Sequence, residues 1–181
     1  MATKKDRATA VHELYLKLNG RTRQRWETVN QEGHDFYLDN QLSYNEKKSL
    51  EDNGQPTFTI NRIIPIVEML NFYATANDPR WQAVAAEGTD AKIAHIHNDI
   101  ADYIWYISDG KQIMHQAIND ACTKSMGFMQ VYVDPNSDHG LGDVKIRSLE
   151  PFDVYVDPQA RDPLFRDAAF MMIHKVVPRA N

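Results

Sequence analysis

The spacing of apolar residues changes period along the chain, and each change predicts an element. Val11, Leu14, Tyr15, Leu18, Thr22, Trp26 and Val29 recur at helical spacing, giving a helix over 9–32 with Thr9 as its N-cap, Gly20 as a weak point and Gly33 as its stop. Residues 1–8 are polar and read as frayed. His34 to Asp39 form a short helical turn, and 40–55, rich in Asn, Glu, Lys and Asp, form a surface loop closing on the Asn53-Gly54 turn. Ile93, Ile96, Ile100, Tyr103, Ile104 and Ile107 give one face to a helix over 90–108, capped by Thr89 or Asp90. Ile113, Ala117, Ile118, Ala121, Cys122 and Ser125 do the same for 110–126, with Cys122 a buried small hydrophobe. The connection between these two helices is short enough to make them an antiparallel pair. From Gly127 the period is two: Phe128, Gln130 and Tyr132 alternate with Met129, Val131 and Val133, a loop follows from Asp134, and a return strand runs from Asp143 to Ser148. Further strands are predicted within 152–156 and 168–177. Helices first and antiparallel strands over 127–177 make an α+β fold.

The segment 55–76 organises the rest. Pro56, Thr57, Phe58, Thr59 and Ile60 favour an extended chain, and Asn61 can accept hydrogen bonds from the free N–H groups of a following helix turn. Pro65 is tolerated only in that first turn, so the helix starts between Asn61 and Pro65 and runs over about 62–76. It is apolar on nearly every face, with Glu68 and Asn71 the exceptions, and such a helix must be covered by other elements. Asp78-Pro79 closes it, and Trp81, Val84 and Ala85 lie in a short segment of undefined type.

Length and charge narrow the functional classes. The 181 residues, 43% hydrophobic, support one domain with one core. A net charge of −5 argues against a tight phosphate grip, although DNA could pass an acidic surface. The basic residues Lys17, Arg21, Arg23 and Arg25 read as a solvated helix face, with phosphate contact the alternative. Cys122 is the sole cysteine, which excludes an intrachain disulfide and fits a reducing compartment. No apolar run reaches the roughly 20 residues that span a bilayer, and the charged start lacks the apolar stretch of a secretory signal.

Reactive chemistry is sparse. Asp134, Asn136 and Asp138 imitate a calcium loop, but His139 and Lys145 occupy the positions that need Gly and Glu. His95 and His97 diverge by about 200° on a helix, and His95 with Asp99 shares a face without further ligands. Gly140 and Gly142 lie between strands, so they form no dinucleotide fingerprint, and phosphate-loop, nucleophile-elbow and zinc motifs are absent. Asp153, Asp157, Asp162 and Asp167 could be imagined as a magnesium nuclease cluster; beside prolines, Asp more often closes a turn. No catalytic, cofactor-binding or metal residue is therefore assigned.

The run Pro-Thr-Phe-Thr-Ile-Asn-Arg-Ile-Ile-Pro-Ile-Val-Glu over 56–68 resembles the segment that opens the wing region of phage portal proteins, especially those of short-tailed phages. The order of parts is similar too: an aromatic-containing helical lead over 26–39, the Asn-x-Ile-x-x-x-Val-Glu helix, further helices, a Gly-led hairpin at 127–134, and Val154-Tyr155-Val156-Asp157-Pro158. The resemblance covers about 26–177 and implies architecture in place of a reaction centre, with a conformationally variable excursion at 77–89. It implies a ring, usually of twelve copies, at the capsid vertex, meeting major capsid protein and scaffold. It also implies docking of the terminase motor and later the tail adaptor, while DNA passes through the channel without sequence-specific binding. Portal proteins run to several hundred residues, so 1–181 is expected to be a single N-terminal wing-type portion continuing into stem and clip. The framework residues are Trp26, Phe58, Asn61, Ile64, Val67, Leu70, Tyr155, Asp157 and Pro158. The competing readings are a metal-dependent hydrolase using Asp153, Asp157 and their neighbours, and a free-standing virion adaptor.

Overall fold

A computed structural model describes residues 4–76, 81–85 and 91–178. Six helices precede the strands among these residues: α1 (Lys4–Leu18), α2 (Arg21–Tyr37), α3 (Tyr44–Asp52), α4 (Ile63–Thr75), α5 (Ala91–Ile107) and α6 (Gly110–Lys124). Then come β1 (Phe128–Asp134), β2 (Asp143–Leu149), β3 (Val154–Val156) and β4 (Met171–Ile173). The fold is mixed α+β, as the change of period predicts.

Three local expectations fail, each for a physical reason. The helix expected over 9–32 is two helices, because Gly20 adopts an extended conformation (φ −84°, ψ −179°) and breaks the chain between α1 and α2. The first of them begins at Lys4, so Thr9 lies inside a helix and is not its cap. Gly33 does not stop α2. A Cβ there would sit 3.4 Å from the Thr123 carbonyl oxygen, so the glycine lets α2 approach α6 closely, and α2 runs on through the expected turn at 34–37. The expected loop over 40–55 contains α3, opened by a capping box in which Glu46 N–H donates to Ser43 Oγ and Ser43 N–H donates to Glu46 Oε2. Glu46 is held below the usual carboxylate range by these bonds. The Asn53-Gly54 turn is present, with Gly54 at φ +66°.

The hub is α6, which touches α2, α4, α5, β1 and β2. Its buried face carries Ala117, Asp120, Thr123 and Lys124, while Cys122 is exposed, contrary to the apolar-stripe reading. Gly127 starts the β region against this helix. A Cβ at that position would fall 1.9 Å from the Ala117 carbonyl oxygen, so only glycine fits. Strands β1 and β2 pair antiparallel from Phe128↔Leu149 to Asp134↔Asp143. Strands β3 and β4 form a separate two-stranded sheet, Val154↔Ile173 to Val156↔Met171.

Candidate functional site

The residues that lock the fold are polar, and the surfaces left open are apolar. The tightest lock centres on Arg23 of α2. Its guanidinium donates to the carbonyl oxygens of Phe152 (2.7 Å), Val154 (2.9 Å) and Pro151 (3.3 Å), and its Nε pairs with Glu27 at 2.7 Å. The same group lies 4.4 Å from the ring centroids of both Trp26 and Tyr155. Trp26 and Tyr155, both expected in the framework, thus meet through an arginine whose sequence pattern reads as a solvated face. Arg23 is not available to phosphate. Burial, with the hydroxyl's own hydrogen bond to Tyr15, pushes Tyr155 up to about 12.

A second lock sits at the end of α6. Lys124 Nζ lies 2.9 Å from Asp120 Oδ1 and 2.9 Å from each carboxylate oxygen of Glu150; the Lys124 and Asp120 side chains are each only 8% exposed. Burial works against the ammonium, but the two carboxylates outweigh it and raise the lysine above its ordinary value. Sequence spacing contains the Asp120–Lys124 pair at i,i+4 but gives no sign that it is buried.

Asn61 does what its position predicts. Its Oδ1 accepts from Ile63 N–H (2.9 Å) and Ile64 N–H (3.2 Å), satisfying the start of α4, while its Nδ2 donates to Tyr37 O at 2.8 Å. One side chain therefore caps α4 and fixes it to the end of α2. Thr59 Oγ1 donates to Asp39 Oδ1, which tethers the extended lead as well.

The helix α4 is oriented opposite to its composition. It buries Val67 and Asn71, the latter completely, with Asn71 Nδ2 donating to His115 O on α6. The opposite face carries Pro65, Ile66, Met69, Phe72 and Tyr73, all exposed, with Phe72 and Tyr73 each at 67%. Ile64 and Leu70 are exposed as well, and so is Phe58 in the extended lead. The expectation that other elements of the chain cover this helix is not met. Helix α5 repeats the pattern: its half-buried positions include Ala94, Asn98 and Ala101, whereas Ile93, Ile96, Ile100 and Tyr103 face outward. Its proposed caps, Thr89 and Asp90, and the Asp78-Pro79 stop lie outside the described residues, as does most of the 77–89 excursion.

Three of the four acidic residues considered for metal chemistry, Asp157, Asp162 and Asp167, have carboxylates occupied by bonds within their own turns and to nearby backbone. Asp157 accepts from Gln159 N–H and Ala169 N–H; Asp162 accepts from Leu164 N–H and Arg166 Nε; Asp167 accepts from Arg161 N–H and Asp162 N–H. Backbone bonds hold Asp162 and Asp167 below the usual range. Pro158 follows Asp157 at an exposed position, so its role is to set the turn. In the hairpin loop, bonds from Lys145, Ser137 and Asn136 bring Asp134 down to about 2. His95 pairs with Asp99 at 3.0 Å, both exposed. Among the described residues, no three His, Cys, Asp or Glu side chains are placed to hold a metal ion, and no helix is long and apolar enough to cross a membrane.

Comparison with known proteins finds one family. The family described as phage P22-like portal protein matches residues 21–181. No curated protein matches the chain.

Proposed function

The chain belongs to the phage P22-like portal protein family, and from that premise we propose that it serves as a structural subunit of the conduit for genome packaging and ejection. Portal proteins are structural, and membership implies assembly as an oligomeric ring in the phage head, at the portal vertex. The finer roles are part of the proposal. The ring holds twelve copies, meets major capsid protein and scaffold, docks terminase during packaging and receives the tail adaptor afterwards. Residues 1–181 form one wing-type portion in which Trp26, Asn61, Val67, Tyr155 and Asp157 hold the framework, while Phe58, Ile64 and Leu70 remain for contacts between subunits.

One observation carries this reading: the outward apolar faces of α4 and α5. Exposed hydrophobic patches of this kind mark association surfaces, and a repeated heterologous contact that closes gives a ring. The net charge of −5 and the sequestered Arg23 guanidinium support a wall that DNA passes without being held. Sedimentation velocity across about two decades of concentration tests the association. Wild-type chain should associate, and Ile66→Glu with Met69→Glu, both at exposed positions, should leave it monomeric with unchanged circular dichroism. Wild-type chain that stays monomeric throughout, or a double variant that associates equally well, contradicts the proposal.

A further inference from the structure

Strand β4 has one satisfied edge and one open one. His174 N–H donates to Asp153 O and Phe170 O accepts from Asp157 N–H, so alternate residues 170, 172 and 174 direct their backbone groups toward β3. By the same alternation the N–H and C=O groups of Met171, Ile173 and Lys175 point away. Among the described residues no hydrogen bond reaches them. This open edge, roughly 13 Å long, is a template for a further strand.

The open edge faces a groove of about 610 Å3 between β4 and α1. Tyr15 and His174 stack at 4.8 Å between ring centroids where the two elements meet. Arg7 and His12 on α1, with Ile173 and Lys175 on the strand side, complete the wall, and among the described residues no carboxylate lines it. In a chain with a net charge of −5, this groove holds two fixed positive charges, two imidazoles and an apolar patch.

We infer that this groove binds an acidic, extended peptide segment of a partner polypeptide, which adds to β4 as a third strand. Main-chain bonds to residues 171, 173 and 175 supply the register. Alternate carboxylates on the incoming strand meet Arg7 and the imidazoles of His12 and His174 on the α1 side, and the intervening apolar side chains lie against Ile173 on the other face. The inference is independent of how the ring closes, since the α4 and α5 faces are not part of this groove.

The test uses the full chain and a fluorescein-labelled heptapeptide, Glu-Val-Asp-Val-Glu-Val-Asp, read by fluorescence anisotropy. Binding is expected, with Arg7→Glu weakening it about fivefold, the loss of one exposed ion pair together with the repulsion that replaces it. Methylating alternate peptide nitrogens leaves the protein untouched and should weaken binding about tenfold, because the incoming strand then cannot donate to the edge. Equal binding of a peptide with Lys in place of Glu and Asp, or of the N-methylated peptide, would overturn the inference. So would preferential binding of oligothymidylate, which would make the groove a nucleic-acid site. Self-association lost on Arg7→Glu, with no peptide binding, would assign the groove to a second copy and overturn it as well.

Discussion

Replacing Arg23 separates two readings of the same residue. As a member of a solvated basic face it would contribute only a few tenths of a kcal/mol, and Arg23→Ala would be close to silent. The structure gives it three carbonyl acceptors and two aromatic rings, with only 14% of its side chain exposed. Counting the two short bonds at about 1.5 kcal/mol each and the two ring contacts at about 0.5 kcal/mol each gives about 4 kcal/mol. The longer bond to Pro151 O is left out of this sum, and Glu27 can return to water when its partner is removed. Arg23→Lys keeps the charge but loses the planar fork and the stacking, so it should recover no more than about half. Urea unfolding followed by circular dichroism measures both variants at constant m-value. A loss below about 1 kcal/mol for Arg23→Ala would refute the idea that this guanidinium ties α2 to the 151–155 segment.

Three further outcomes follow from the same geometry. Lys124→Met leaves the buried Asp120 carboxylate without its cation and should cost about 3–5 kcal/mol in the same urea assay, whereas adding Asp120→Leu should restore much of that loss; a double variant no more stable than the single one would show that the lysine acts otherwise. Asn61→Ala removes the acceptor for two N–H groups and the donor to Tyr37 O, and should destabilise by about 1–2 kcal/mol, seen as faster hydrogen exchange at Ile63 and Ile64. For Asp134 the folded value of about 2 lies below its ordinary one, so its contribution is complete above about pH 4 and is lost as pH falls toward 2; carboxyl NMR should show Lys145→Met returning the midpoint toward the ordinary range, and a wild-type midpoint already there would mean that the loop lock does not form.

What the sequence reveals and what it hides divide along a physical line. Asn61, Pro65 and the period-two run from Phe128 act within a few residues of themselves, so the start of α4 and the β1–β2 hairpin are legible in the chain alone. The capping box at Ser43 and Glu46 is equally local and was within reach of pattern reading, although the polar composition around it suggested a loop. Gly33 and Gly20 look alike in sequence. One breaks the chain and the other admits α6, and only the tertiary approach to Thr123 distinguishes them. The carbonyls that hold Arg23 lie 128–131 residues away and Glu150 lies 26 residues from Lys124, beyond any helical period, while the Asp120–Lys124 spacing gives no sign that the pair is buried. Helix α4 reads as apolar on nearly every face and α5 as carrying one apolar face, but hydrophobicity says only that such a surface needs cover, not that the same chain supplies it.

The most direct test of the proposed role is an electron cryo-microscopy reconstruction of the assembled particle. The account predicts closed rings in which Ile66, Met69, Phe72 and Tyr73 of each copy pack against a neighbouring subunit. Rings that leave this face of α4 in water, or a particle with no closed symmetry, would contradict it.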